Sequence, residues 1–174
     1  TWELMATSVC PAHGGDPDGW GAAGGSAGAN LAATAALTGS HVAAVIALYG
    51  YYGDFGGAAG QMSPQQVINS DAPPFLLVHG SLDTLVPHKQ ARAFADRLRA
   101  LSHRPVVYAE LPGAQHSFDV FQSIRFHAVT DAIVRFAELS IGTHGVREPA
   151  RASREDDPGQ AAEGAGHRRT EKLR

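Results

Sequence analysis

Short apolar runs alternate with amphipathic stretches from Ala22 to Leu139. Val42 to Leu48, Phe75 to His79 and Val106 to Leu111 are apolar and rich in β-branched or aromatic residues. Pro73-Pro74 and Gly80 bound the second run, and Pro105 and Pro112-Gly113 bound the third. Runs of this kind predict strands buried on both faces. Between them lie helical patterns. Ala29 to Leu37 is small and apolar, with Gly39 as its stop. After Pro87, Ala91, Phe94, Ala95, Leu98 and Leu101 recur at helical spacing, with charged residues on the other faces. A third helix is predicted from Ser123 to Leu139, with Ile124, Ala128, Ala132, Ile133 and Phe136 along its packed side. Strands alternating with helices predict an α/β fold with a parallel sheet and right-handed crossovers.

The pattern stops after Ile141. Residues 142–174 hold much Gly, Ala, Arg and Glu and almost no large apolar groups, so they are expected to be a disordered tail. The folded portion is then 1–141. A 174-residue chain that is 44% hydrophobic and 18% charged has a globular composition. A net charge of −3 gives no sign of nucleic-acid binding. No run has the length for a membrane span, and the first residues show no signal peptide. With Cys10 as the single cysteine an internal disulfide is excluded, and a reducing, cytoplasmic setting is the expectation. Neither a metal cluster nor a phosphate-binding glycine loop with lysine is visible, so no cofactor is expected.

Gly24-Gly25-Ser26-Ala27-Gly28 matches G-x-S-x-G. In that motif a serine sits on a strained strand-to-helix turn, with its hydroxyl projecting above the sheet. Gly24 and Gly28 are expected where a Cβ would strike the neighbouring strand and helix. The Ala27 N–H, at the positive start of the following helix, would be an oxyanion donor. The motif alone reads equally well as a glycine-rich turn opening a tightly packed helix. Two further residues change the picture. Asp83 directly follows the second apolar strand, and His116 the third. Loops at the carboxyl ends of parallel strands form the crevice of an open α/β sheet. A hydroxyl needs a base to become a nucleophile, an imidazole takes that proton near neutral pH, and a carboxylate holds the imidazole. Taken singly, Asp83 is equally readable as a turn cap, and His116 as one loop histidine among nine.

Gly14-Gly15-Asp16-Pro17, Gly24 to Gly28, His79 to Pro87 and Pro112 to Phe118 stand in the order G-G-D-P, G-G-S-A-G, H-G-x-x-D-x-x-V-P and P-G-x-x-H-x-F. This order resembles microbial carboxylesterases of the α/β-hydrolase superfamily, relatives of the hormone-sensitive-lipase and feruloyl-esterase-like branches. The resemblance covers about residues 10 to 140. It implies the C-terminal half of an α/β-hydrolase sheet, about four mostly parallel strands with flanking helices. It also implies a small-molecule ester as substrate, Ser26 as nucleophile, Asp83 as acid and His116 as base. The family's upstream oxyanion loop, His-Gly-Gly-Gly or similar, has no room in the 25 residues before Ser26. His13-Gly14-Gly15 imitates it but lies too close to the serine. Gly19 to Ala23, which should be the strand entering the turn, is poor strand material and would form an unpaired inner edge.

Three functions follow as alternatives. The first is an esterase impaired by the missing loop and a missing N-terminal half. The second is a peptidase or amidase on the same fold. The third is a silent truncated product or docking module. Among the remaining residues, Cys10 is a bystander, His79 structural, and Asp119 a cap for the following helix rather than a substitute acid. Tyr49, Tyr51 and Tyr52 either line the pocket or pack.

Overall fold

The computed structural model describes residues 19–39, 41–53 and 63–145. Cys10, the His13-Gly14-Gly15 imitation, Gly14 to Pro17 and the expected disordered stretch from 146 onward lie outside them. The chain order is β1 (Gly21–Gly25), α1 (Ala27–Leu37), β2 (Ala44–Leu48), a single 3-10 turn (Pro64–Gln66), β3 (Phe75–Gly80), α2 (His88–Leu101), β4 (Val106–Leu111) and α3 (Ile124–Gly145). The four strands form one parallel sheet in the order β1-β2-β3-β4. The predicted α/β class and half-sheet therefore stand.

Alternate residues of the two central strands face opposite layers, as a two-residue period requires. Val45, Ala47, Phe75 and Leu77 point to one side, where they pack with Ala29, Ala33 and Ala36 of α1 and with Ala91, Phe94, Ala95 and Leu98 of α2. Ala44, Ile46, Leu76 and Val78 point to the other, against Val129 and Phe136 of α3. The alanines let α1 lie close to the sheet. The largest contacts of the first layer come from aromatic rings: Tyr52 stacks on Phe94 at 4.3 Å, and Phe75 meets the same ring edge-on at 6.0 Å.

One expectation is corrected. α3 continues to Gly145, and its packed side is Val129, Ile133, Phe136, Ala137 and Ile141. Ile124, Ala128 and Ala132 fall off that side, and Ile124 is 91% exposed. The sequence pattern has the right period and the wrong phase, because Val129 and Ile141 turn the stripe by about one residue.

The expected edge strand before Ser26 is β1, formed from unpromising residues. The glycine-rich run that looks unfit for a strand pairs along five residues with β2, from Gly21 opposite Ala44 to Gly25 opposite Leu48. Its composition answers to close packing on several sides. A Cβ at Gly21 would stand 2.8 Å from Ile141 Cδ1, one at Gly24 2.4 Å from the Gly28 carbonyl, and one at Gly25 2.6 Å from the Tyr49 hydroxyl. Real Cβ contacts do not come that near: the α1 backbone fills the space at Gly24, and the Ile141 and Tyr49 side chains fill it at Gly21 and Gly25. β1 is the first strand of the sheet, and its outer side has no strand partner among the described residues.

Candidate active site

Ser26 lies between β1 and α1 with φ 54° and ψ −119°, a conformation rarely adopted by residues with a side chain. Its N–H donates to the Leu48 carbonyl at 3.0 Å, and its own carbonyl accepts from Ala29 and Asn30. These bonds hold the turn in its strained state, with Gly24 making room for the helix backbone. Gly28 departs from the expectation: a Cβ there meets nothing within 4 Å among the described residues. Only Gly24 of the pair is fixed by sterics. Ala27 is the first residue of α1, so its N–H has no carbonyl four residues back within the helix and points from the positive helix end.

Asp83 follows β3, and its side chain is fully enclosed. Oδ1 accepts from the N–H groups of Leu85 at 2.9 Å and Val86 at 2.8 Å. Oδ2 accepts from His116 Nδ1 at 2.7 Å and lies 3.2 Å from His79 Nε2. Asp83 is therefore both the turn cap and the partner of His116. Burial favours its neutral form, but the Val86 N–H, His116 and the Leu85 N–H together outweigh burial and hold the carboxyl below its usual value.

His116 follows β4. With Nδ1–H given to an ionised Asp83, Nε2 is left as acceptor, and it lies 3.0 Å from Ser26 Oγ. The structure thus brings together all three residues the sequence singled out, each from a different strand end.

His79, at the end of β3, is buried. Its Nε2–H donates to the Val86 carbonyl at 2.9 Å and faces Asp83 Oδ2 on the same side. Its Nδ1 is buried without a hydrogen-bond partner among the described residues. Desolvation pushes this imidazole below its ordinary pKa, so it stays neutral and stiffens the Asp83 turn. The structural role expected for His79 includes a direct contact with the carboxylate.

Tyr49 and Asp119 carry the features that the sequence did not single out together. Asp119 is not a helix cap, because Ser123 fills that place: its Oγ accepts from the Phe126 N–H. Instead Asp119 Oδ1 accepts from the Tyr49 hydroxyl at 2.9 Å. The Tyr49 ring stands edge-on to His116, with centroids 4.8 Å apart. Burial first, then Asp119, pushes the Tyr49 hydroxyl up to about 12. Tyr49 sits at a strand end like Asp83 and His116, and that position was the available signal. Tyr52 belongs to the core, and the Tyr51 carbonyl accepts from Asn30. Among the described residues, the non-glycine residues with positive φ are Ser26, Tyr49 and Ser117, all on this rim. Each such conformation costs of order 1–3 kcal/mol, and clustered strain of this kind marks functional sites.

Residues 54–98 match a family model described as BD-FAE. A probable carboxylic ester hydrolase of Mycobacterium tuberculosis, LipM, is 36% identical over 181 residues, covering 80% of this chain and 42% of that protein. The chain has the α/β-hydrolase fold and is similar to carboxylic ester hydrolases over part of their length. Esterase LipQ of the same organism is 35% identical to this α/β-hydrolase chain, covering 75% of it and 40% of LipQ. The chain therefore spans about two fifths of the length of these curated relatives. Among solved structures, the apo form of Thermogutta terrifontis esterase 2 superposes with a TM-score of 0.70 over 80% of this chain and 62% of that one. At 23% identity that likeness shows the fold. Among the described residues no helix is long and apolar enough to cross a membrane, and no group of three His, Cys, Asp or Glu side chains is placed to hold a metal ion.

Proposed function

We propose that this α/β-hydrolase chain cleaves carboxylic esters through an acyl-enzyme, with Ser26 as nucleophile, His116 as general base and acid, and Asp83 as its carboxylate partner. The observation that carries the reading is the His116 ring bridging Ser26 Oγ at 3.0 Å and Asp83 Oδ2 at 2.7 Å. Those distances are hydrogen-bond reach for proton transfer without rearrangement.

As Ser26 Oγ attacks the ester carbonyl carbon, its proton passes to His116 Nε2. The carbonyl oxygen becomes an oxyanion facing the Ala27 N–H and the start of α1. Collapse breaks the bond to the alcohol oxygen, which takes the proton from His116, leaving the acyl group on Ser26. A water then gives its proton to His116 Nε2 and attacks the acyl carbon. The Ser26 oxygen leaves with that proton, and the carboxylic acid departs. Asp83 stays ionised throughout and stabilises the imidazolium. The loops bearing Asp83 and His116 also expose Leu82, Leu85, Val120 and Phe121, which favours an ester with an apolar acyl or alcohol group.

Ala27 is the oxyanion donor identified among the described residues. Removal of one donor typically lowers kcat by ~10²–10³. This chain in isolation is therefore expected to turn esters over slowly while its serine stays reactive. The test is a fluorophosphonate probe followed by intact-mass measurement, beside hydrolysis of a short-chain p-nitrophenyl ester. One probe should add to the parent, and none to Ser26→Ala or His116→Ala. A parent that takes up no probe, or labelling that survives in Ser26→Ala, overturns the assignment. Fast turnover abolished by Ser26→Ala upholds the serine and overturns the expected impairment.

A further inference from the structure

Two hydrogen bonds at opposite nitrogens hold the His116 ring, one to Asp83 and one to Ser26. Both bonds bend when the imidazole turns about its Cβ–Cγ bond, and that turn carries the Nε2 lone pair off the Ser26 hydroxyl. A third contact, against the ring, limits the turn.

The Tyr49 ring lies there, 4.8 Å from the imidazole centroid and inclined at 62°. It is itself held on several sides. Its N–H donates to the Val78 carbonyl of β3 at 2.7 Å. Its ring is backed by Phe118, edge-on at 5.3 Å. Its hydroxyl lies over Gly25, next to the serine, where a Cβ would approach to 2.6 Å. It donates to Asp119 Oδ1 at 2.9 Å, so the residue after β2 is tied to the loop that carries His116. A backbone φ of 40° at Tyr49 is what turns the ring into this place. A residue adopts that conformation only where its surroundings compel it.

We propose that Tyr49 and Asp119 are a positioning pair that limits the turn of the His116 ring against Ser26. This rests on the reading of Ser26, His116 and Asp83 as the hydrolytic centre. The pair does not touch the ester. Tyr49 acts through its ring on His116, and Asp119 acts through the Tyr49 hydroxyl.

The rate constant kinact and the half-saturation constant KI of fluorophosphonate labelling separate this from plain packing. Tyr49→Phe keeps the ring and loses the anchor, and Asp119→Ala loses the same bond from the other end. Each should lower kinact about tenfold with KI unchanged, and the double variant should be no slower than about twofold below either. Asp119→Asn, which still offers an acceptor, should recover most of the loss. Tyr49→Ala, without the ring, should fall about a hundredfold. Tyr49→Phe and Asp119→Ala within about twofold of the parent overturn the proposal. So does a loss confined to KI, or single losses that multiply in the double variant. So does a loss that disappears when rates are normalised to the folded fraction. Labelling that persists in His116→Ala overturns the hydrolytic reading instead. An independent check is the nuclear Overhauser effect between the Tyr49 and His116 ring protons. It should be present in the parent and weaker in Asp119→Ala. Its absence from the parent overturns the pair whether or not the probe reacts.

Discussion

Gly24 and Gly28 flank the serine symmetrically in sequence, yet their surroundings differ, and alanine at each should have opposite effects. A Cβ at Gly24 stands 2.4 Å from the Gly28 carbonyl carbon and oxygen and 2.8 Å from the Ala29 nitrogen, against a floor of 3.0 Å. All three obstacles are backbone atoms of α1, so no flexible side-chain tip can yield. The helix start must retreat by about 0.6 Å, and overpacking of that kind costs about 1–3 kcal/mol. With a urea slope of about 1.5 kcal/mol/M, the unfolding midpoint should fall by about 1 M. Gly28 has nothing within 4 Å of its Cβ position and no positive φ. Alanine there limits the unfolded chain and suits the helix, which contributes about 0.4–1 kcal/mol of stability. Urea titration followed by tryptophan fluorescence measures both, since Trp20 packs beside β1. If Gly28→Ala lost as much stability as Gly24→Ala, or if Gly24→Ala were neutral, the steric account of the turn would be refuted.

Two further outcomes are expected. Phe94 is fully enclosed, stacked on Tyr52 and met by Phe75, so Phe94→Ala should lower stability by about 3–5 kcal/mol in the same titration; a loss under 1 kcal/mol would place Phe94 outside the core. The folded pKa values of His79 and Asp83 both lie below their unfolded values, so the unfolded chain binds more protons as pH falls. The stability His79 contributes is complete above its ordinary value of 6.5 and is lost as pH drops through its lower folded value. Asp83 follows below its ordinary value of 3.8. The urea midpoint should fall less between pH 7 and pH 5 in His79→Gln than in the parent, and identical slopes would contradict a buried, neutral His79.

Much of the site was legible in the chain. Asp83 and His116 each follow an apolar run, Ser26 stands in the G-x-S-x-G motif, and in a parallel sheet every strand ends on the same rim. The motif, the strand ends and the family resemblance together named residues up to 90 positions apart. The helix α2 was equally plain, because its apolar positions repeat under a charged outer face. The phase of α3 was not. Alanine at 128 and 132 carries too little apolar weight to say which side of a helix is buried, and Val129 decided it only once Phe136 and Ile141 met the sheet. The Asp119 hydrogen bond was hidden for another reason. Its partner Tyr49 lies 70 residues away and reaches it through a rare backbone conformation.

The sequence pattern determined the strand-and-helix alternation and the candidate residues at strand ends, because buried parallel strands and their loops carry period and punctuation that need no partner to be read; the half-sheet followed from the family resemblance. Only the tertiary structure explained how Gly21-Ala22-Ala23-Gly24-Gly25 forms the strand expected there. Its propensity opposes that conformation, and the reason for its glycines is the approach of Ile141, the Gly28 backbone and the Tyr49 ring, contacts that exist only after the chain has folded. The same holds for His79 against Asp83 and for Tyr49 against His116, whose meaning is a distance between loops.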